Sequence, residues 1–197
     1  QINELKDRRE LERAVNLALI YLEKRPNESS LLSTLAHCFI LQNKVPQALE
    51  YLDKAKKIDP DNPLIVWNFA RSYIRRNEFE KAKNLVQKSL TKFPNNIEGI
   101  VILGSCFRLL REHEESLMCL NEALGLDSEY TPGLINRGLT FLQKNMKREA
   151  LDDFDKAYKL APNSKDIWKI IGDLSVEFGK FDEAEELYKK LITETPN

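Results

Sequence analysis

The residue types that most often carry enzyme chemistry are few and far apart in this sequence. His37 and His113 are the only histidines, and they lie in different thirds of the chain. Cys38, Cys106 and Cys119 form neither a CxxC pair nor a disulfide framework. A metal site or a catalytic dyad needs such side chains close together. These residues therefore predict no metal, no cofactor and no catalytic nucleophile.

Sequence motifs of known enzyme classes are also missing. The chain has no phosphate-binding, dinucleotide-binding, zinc-protease or serine-hydrolase motif. Its carboxylates cluster at positions such as Glu183, Glu185 and Glu186, a pattern typical of a solvated helix face. We predict that the chain is not an enzyme.

Charge and hydropathy exclude two further classes of partner. The 30 basic and 31 acidic side chains nearly cancel, and there are no rows of aromatic residues for base stacking. No run approaches the roughly 18 apolar residues that span a bilayer. We therefore predict no nucleic-acid partner and no membrane insertion. The odd number of cysteines and the polar first ten residues predict a cytoplasmic protein.

A fixed period organises the chain. Five prolines are separated by gaps of 34, 34, 68 and 34 residues: Pro26, Pro60, Pro94, Pro162 and Pro196. Ser128 stands at the skipped place. With Ser29 as the first place of a unit, the period predicts a single array over residues 1–197. Its units are a partial repeat 1–28 and the repeats 29–62, 63–96, 97–130, 131–164 and 165–197.

Several places of this period are restricted in size. The eighth place is small: Ala36, Ala70, Gly104, Gly138 and Gly172. The twentieth place is also small: Ala14, Ala48, Ala82, Ser116, Ala150 and Ala184. The twenty-fourth place is bulky: Leu52, Val86, Leu120, Phe154 and Tyr188. Small residues let helices approach closely, and bulky ones fill the space beside them.

Each unit contains two apolar-periodic segments with a break between them. The break falls at the fifteenth place: Asn43, Asn77, Arg111, Asn145 and Gly179. Asn and Gly tolerate the left-handed backbone that commonly ends a helix, whereas Arg111 adopts it only at a conformational cost. The unit is therefore predicted to be a helical hairpin.

This pattern, together with aromatic residues at the eleventh place such as Phe39, Tyr73 and Phe107, resembles the tetratricopeptide repeat. The resemblance covers essentially the whole chain. It implies an all-α, right-handed superhelical solenoid of stacked antiparallel helix-turn-helix repeats. It also implies a scaffold for protein–protein interaction. Arg137 stands where a leucine is usual, and Ser175 replaces an expected aromatic residue.

In this family the first helix of each unit lines a concave groove. The fifth place there gives consecutive apolar side chains, and arginines stand nearby. This apolar floor with a basic rim predicts a protein or peptide ligand with apolar anchors and acidic groups. The predicted partner-binding residues are Trp67, Arg71, Ile74, Arg75, Val101, Ser105, Arg108, Leu109, Ile135 and Leu142.

Some of these apolar residues have an alternative interpretation, in which they complete the core between adjacent first helices. This alternative stays open for Ile40, Ile74 and Val176. Trp67 is interpreted as a contact residue because Val66 beside it already supplies packing, whereas Trp168 is predicted to be core. Toward the C-terminus the lining becomes acidic: Asp166, Asp173 and Glu177.

The resemblance also suggests a comparison with relatives that grip the terminal carboxylate of chaperone tails with Lys, Asn and Arg. At the corresponding places here only Asn68 fits, and Glu98 would repel a carboxylate. The sequence therefore disfavours a chaperone-tail ligand.

The last predicted repeat has no polar helix to cover its flank. Leu187, Leu191 and Ile192 would then form an exposed apolar edge. This edge predicts either a longer natural chain or self-association into a homo-oligomer through the array ends.

Another alternative makes the array the substrate-recruiting arm of a larger enzyme, because glycosyltransferases and sulfotransferase-like proteins carry similar repeats.

Overall fold

The computed structural model of the protein describes residues 11–194, without the side chains of Asp166 and Glu194. These residues form eleven α-helices and no β-strand, which confirms the all-α prediction. The first ten residues and Pro196 lie outside the described residues. The helices are α1 Leu11–Lys24, α2 Ser29–Leu41, α3 Val45–Ile58, α4 Pro63–Arg75, α5 Phe79–Leu90, α6 Ile97–Leu109, α7 His113–Leu126, α8 Thr131–Gln143, α9 Lys147–Leu160, α10 Lys165–Glu177 and α11 Phe181–Glu194.

The first helices α2, α4, α6, α8 and α10 all begin at the first place of the 34-residue period, at residues 29, 63, 97, 131 and 165. Local chemistry fixes two of these starts. The Asn62 carboxamide oxygen accepts from the Leu64 amide at 3.0 Å, and Pro63 occupies a position where a missing N–H does no harm. The Asn96 oxygen accepts from the Gly99 amide at 2.9 Å in the same way.

The turn inside each hairpin uses a left-handed residue at the predicted break. The backbone φ angles are 59° at Asn43, 60° at Asn77, 68° at Arg111, 60° at Asn145 and 73° at Gly179. In every case the next residue donates its amide to a carbonyl five residues back, as in Glu112 to Phe107 at 2.9 Å. This is the Schellman termination, which satisfies carbonyls that the helix end would leave unpaired. Arg111 thus adopts the left-handed conformation despite its side chain.

The chain divides into two compact units, residues 1–106 and 107–197, with the division inside α6. In the first unit α2 packs on α3, α4 packs on α5, and α4 also contacts α2 and α3. The predicted small places are fully buried there, including Ala14, Ala48 and Ala82. The hairpin prediction is confirmed in this unit, and the single continuous array over the whole chain stays a prediction.

In the second unit α8 packs on α9 and α10 packs on α11, while α7 contacts α8 and α9 contacts α10. Here the predicted pairing of small and bulky places can be seen directly. A Cβ atom on Gly138 would lie 2.9 Å from the ring of Phe154, and one on Gly172 would lie 2.9 Å from the ring of Tyr188. The eighth-place glycines therefore make room for the twenty-fourth-place rings. Trp168 is buried as predicted, and its indole N–H donates to the Pro162 carbonyl.

Candidate functional site

The fifth-place residues of the first unit lie between neighbouring first helices. Trp67 is 1% exposed, and Val101 is also buried. The Trp67 ring lies against α6, where a Cβ on Gly99 would stand only 2.7 Å from the ring. The expectation that Trp67 and Val101 contact a ligand is therefore wrong for this structure. Gly99 lacks a side chain and leaves room for the Trp67 indole. Because Trp67 and Val101 are both buried, both belong to the core.

A chain of polar contacts, which we call the polar ladder, joins α2, α4 and α6 in the first unit. It consists of Ser33, His37, Asn68, Arg71 and Glu98. Asn68 is 1% exposed, and its amide nitrogen donates to the Ser33 carbonyl at 3.1 Å and to the Ser33 hydroxyl at 2.9 Å. A carbonyl can only accept, so this contact fixes the orientation of the Asn68 amide.

The oxygen of the oriented Asn68 amide faces two donors. It accepts from Arg71 Nη1 at 3.4 Å and lies 3.2 Å from His37 Nδ1. Because the amide oxygen can only accept, His37 carries a proton on Nδ1, which sets its tautomer. The sequence predicted no metal-binding or catalytic role for His37, and it gave no indication of this structural contact.

Arg71 is paired before any ligand arrives. Its Nη2 atom donates to Glu98 Oε1 at 2.7 Å, with the two side chains 28% and 32% exposed. Glu98 therefore does not simply repel carboxylates, because Arg71 balances its charge. By the same contact, Arg71 is less available to an acidic ligand than the sequence suggested.

The sequence carried a signal for this ladder that the groove prediction did not use. Glu98, Asn68 and Arg71 occupy the second, sixth and ninth places of their repeats, spaced as i, i+4 and i+7 along one helix face, and Ser33 stands at the fifth place. The groove prediction used the fifth, ninth, twelfth and thirteenth places and did not use the sixth, where Asn68 stands. Only the positions of the neighbouring helices show which of these places are buried.

Other predicted residues of the first unit remain accessible. Arg75 is exposed and Ile74 is half-buried, both at the end of α4. Leu41 at the end of α2 and Leu64 at the start of α4 are 39% and 37% exposed. We call the surface of Leu41, Leu64, Arg71, Ile74 and Arg75 the first-helix face. Ser105 is half-buried, and its hydroxyl donates to the Val101 carbonyl within its own helix.

The second unit holds the remaining predicted partner-binding residues. Arg108 and Leu109 are half-buried. Burial lowers the pKa of the Arg108 guanidinium, and its Nε atom has no hydrogen-bond partner among the described residues. Ile135 and Leu142 are half-buried and pack against the core of this unit. These two side chains therefore serve the core with part of their surface.

The acidic residues predicted near the C-terminus have partners inside the second unit. Asp173 accepts from the Tyr188 hydroxyl at 2.7 Å, and Glu177 pairs with Lys147 at 2.6 Å. The side chain of Asp166 lies outside the described residues. Two of the three predicted acidic groups thus help to stabilise the fold.

The predicted self-association edge is smaller than the sequence suggested. Leu187 is buried, which contradicts its assignment to an exposed edge, because its side chain points into the core of the second unit. Leu191 is half-buried. Ile192 is 73% exposed and is the one predicted edge residue with most of its surface open.

Burial governs the chemistry of two of the three cysteine thiols. Burial raises the pKa of Cys106 to about 12 and that of Cys119 to about 11. Both thiols therefore stay protonated at neutral pH. Among residues 11–194, no three His, Cys, Asp or Glu side chains come together in a way that could hold a metal ion. No helix in that range has the length and apolar character needed to cross a membrane.

Two family models, both described as tetratricopeptide repeat, match this sequence. One matches residues 40–99, and the other matches residues 1–63 and again residues 135–197. The chain belongs to the tetratricopeptide repeat family. The helical hairpins, their Schellman turns and the paired small and bulky places are how this chain builds the tetratricopeptide repeat.

Curated relatives of this tetratricopeptide repeat chain are much longer proteins. The tetratricopeptide repeat-containing protein trd-1 of Caenorhabditis elegans is 23% identical over 184 residues, which are 93% of this chain and 23% of trd-1. The human protein O-mannosyl-transferase TMTC3 is 23% identical over 178 residues, which are 83% of this chain and 20% of TMTC3. The chain thus spans about a fifth of the length of these relatives.

Among solved structures, the anaphase-promoting complex hetero-tetramer Cut9–Hcn1 shares the fold. The match has a TM-score of 0.80 at 16% identity, and it covers 98% of this chain and 38% of the matched chain. At this identity the similarity shows the fold alone.

Proposed function

We propose that this tetratricopeptide repeat chain is a non-catalytic scaffold that binds a peptide or protein segment carrying apolar anchors and acidic groups. The observation that carries the proposal is the first-helix face, where exposed Arg75 lies next to half-buried Ile74 on a helix anchored by the polar ladder. The occurrence of the fold in the Cut9–Hcn1 assembly supports a role in protein–protein interaction.

The polar ladder makes this face rigid before binding. Asn68 is buried and bonded to α2, and Arg71 bonds α4 to α6. A preorganised surface loses less conformational entropy when a ligand binds. Since Arg71 is already paired, Arg75 is the cation that an acidic ligand group would contact.

The register of α2 and α4 suggests a spacing for the ligand. Leu41 and Arg75 both stand at the thirteenth place of their repeats, on helices that contact each other. Axes of packed helices lie about 8–10 Å apart. A polyproline II segment rises about 3.1 Å per residue with three residues per turn, so its residues i and i+3 point the same way about 9 Å apart. The preferred ligand therefore has an apolar residue and one Asp or Glu that stands three positions before or after it.

A peptide series tests this proposal. Labelled twelve-residue peptides carry one Leu and one Glu separated by one to five positions, and fluorescence anisotropy gives the Kd of each. We expect the three-position spacing to bind most tightly. Arg75→Glu should weaken it by about tenfold or more, and higher salt should weaken it too. Arg148→Glu, at an exposed arginine on α9, is the matched control and should bind normally. A second series carries Lys in place of Glu, and equal binding of the two series would overturn the proposal.

A second candidate is a substrate-recruiting arm of a larger enzyme. It is favoured by the match of 83% of this chain to one fifth of a protein O-mannosyl-transferase. Determining the complete coding sequence tests it directly. A transferase domain in the same reading frame would support the arm, and its absence would reject it.

A third candidate is self-assembly through the exposed end of α11. Ile192 is 73% exposed, whereas Leu124, at the same place of an earlier repeat, is only 8% exposed. Light scattering across a concentration series measures the mass. A dimer that Ile192→Lys abolishes and Thr193→Lys preserves would support this candidate, and a monomer at all concentrations would reject it.

A further inference from the structure

A cleft of about 140 Å³ opens in the first unit between α3, α4 and α5. It is separate from the first-helix face and shares no residue with it. The cleft has an apolar floor with two charged residues at its exposed rim. The floor is formed by Ile65, Phe69, Tyr73 and Leu85, and the rim by Asp53 and Lys56.

The repeat itself shows what is missing from this cleft. Lys56 stands at the twenty-eighth place, where the next three repeats carry Leu90, Leu124 and Tyr158. Leu90 packs against Gly99 on the following first helix, and Leu124 packs against Gly133 on its own following first helix. These apolar side chains fill the junction between a second helix and the next first helix.

Lys56 does not fill its junction. The residue is exposed, and its ammonium lies 5.6 Å from the centroid of the Phe69 ring. A long cationic side chain keeps its charged end in water and lines apolar surface only with its stem. The fourth place, which lines the same junction, is also smaller here, with Val66 where the next three repeats have Ile100, Leu134 and Trp168. The cleft is therefore the space left by a missing apolar side chain.

We propose that this cleft binds one leucine-sized side chain from a segment of a partner protein. An apolar cavity of about 150 Å³ accepts a benzene molecule, whereas sites for drug-sized ligands are about 300 Å³ or larger. The size thus fits a single side chain. The rim adds charge complementarity, since Asp53 attracts a basic neighbour of the anchor residue and Lys56 attracts an acidic one.

Blocked tripeptide amides test the proposal by NMR. Four probes are titrated into the isotope-labelled chain: Lys-Leu-Glu, Glu-Leu-Lys, Ala-Leu-Ala and Lys-Gly-Glu. We expect saturable shifts at Ile65, Phe69 and Tyr73 with the three leucine peptides, at millimolar Kd. One of the two charged orders should bind about threefold or more tightly than Ala-Leu-Ala. The glycine peptide should give no saturable shift, because it has no anchor.

Filling the cleft from within provides the decisive variant. Lys56→Leu installs the residue found at this place in the next two repeats, so it should abolish the shifts and raise the Tm by about 2–4 °C. Lys57→Leu makes the same change at an exposed neighbour outside the cleft and should preserve the shifts. Val66→Leu is a second filling variant that keeps the lysine, and it should weaken binding at least threefold.

Either of two results overturns the proposal: wild-type protein gives no saturable leucine-dependent shift, or the shifts persist unchanged in both filling variants. Arg75→Glu distinguishes this site from the first-helix face. It should leave the cleft titration unchanged even if it abolishes binding of the longer acidic peptides.

Discussion

An ion pair between Arg137 and Asp153 replaces an apolar pair of the other repeats. Arg137 Nε and Nη2 donate to the two carboxylate oxygens of Asp153 at 2.8 and 2.7 Å. Asp153 is 2% exposed. In the next repeat the same seventh and twenty-third places hold Ile171 and Leu187, both buried. The sequence departure at Arg137 is thus compensated by a second departure sixteen residues later.

Changing one partner should be far more harmful than changing both. Arg137→Ile leaves the Asp153 carboxylate buried with no cation, which costs about 3–5 kcal/mol of unfolding free energy. Asp153→Leu should cost less, about 1.5–3 kcal/mol, because the Arg137 side chain is 20% exposed and also donates to Asn121. The double variant copies the Ile171 and Leu187 pair and should lie within about 1 kcal/mol of wild type or above it.

Urea denaturation followed by circular dichroism at 222 nm measures these changes for the wild type, both single variants and the double variant. Coupled repeats unfold together with their neighbours, so the variants should expose the same surface on unfolding and should share one m value. Their free energies of unfolding are therefore compared at that shared m value. Arg137→Lys is the conservative control and should show an intermediate loss, since lysine keeps the charge without the two-pronged contact. If the two single losses simply add in the double variant, the reasoning is refuted, because additivity means that the residues do not interact.

Three other predictions concern the left-handed turn at Arg111, two helical glycines and the Cys119 thiol. Arg111→Gly should stabilise the chain by about 1 kcal/mol in urea denaturation, since glycine removes the strain of the positive φ, and a loss of stability would contradict this. Gly99→Ala should destabilise the chain by about 1–3 kcal/mol, because the added methyl group meets the Trp67 ring. Gly125→Ala is the control, and it should stabilise the chain by about 0.5–1 kcal/mol because the space around Gly125 is open. Equal effects of the two substitutions would refute the packing argument. Labelling of Cys119 by a disulfide reagent at pH 8 should be more than about 100-fold slower than labelling of free cysteine. The labelling rate should rise with pH up to the pKa of the Cys119 thiol, about 11. A rate that levels off below pH 9 would contradict this prediction.

The sequence by itself determined the repeat and its hairpins. Helix formation and termination depend on neighbours within a few residues, so the left-handed positions from Asn43 to Gly179 could be predicted from residue type and spacing. The pairing of small and bulky places was also predictable, because places eight and twenty-four recur in every unit. Gly138 against Phe154 and Gly172 against Tyr188 confirm that pairing.

The tertiary structure decided which side chains of those helices meet a neighbour and which meet solvent. Trp67 is buried because Gly99, on another helix, leaves room for its ring. Asn68 and Arg71 are held by partners on α2 and α6. The cleft beside Lys56 becomes evident only once the twenty-eighth place is seen to face the next first helix. Periodicity within one helix gives the stripes of a repeat, but the packing of adjacent helices determines which stripe is buried.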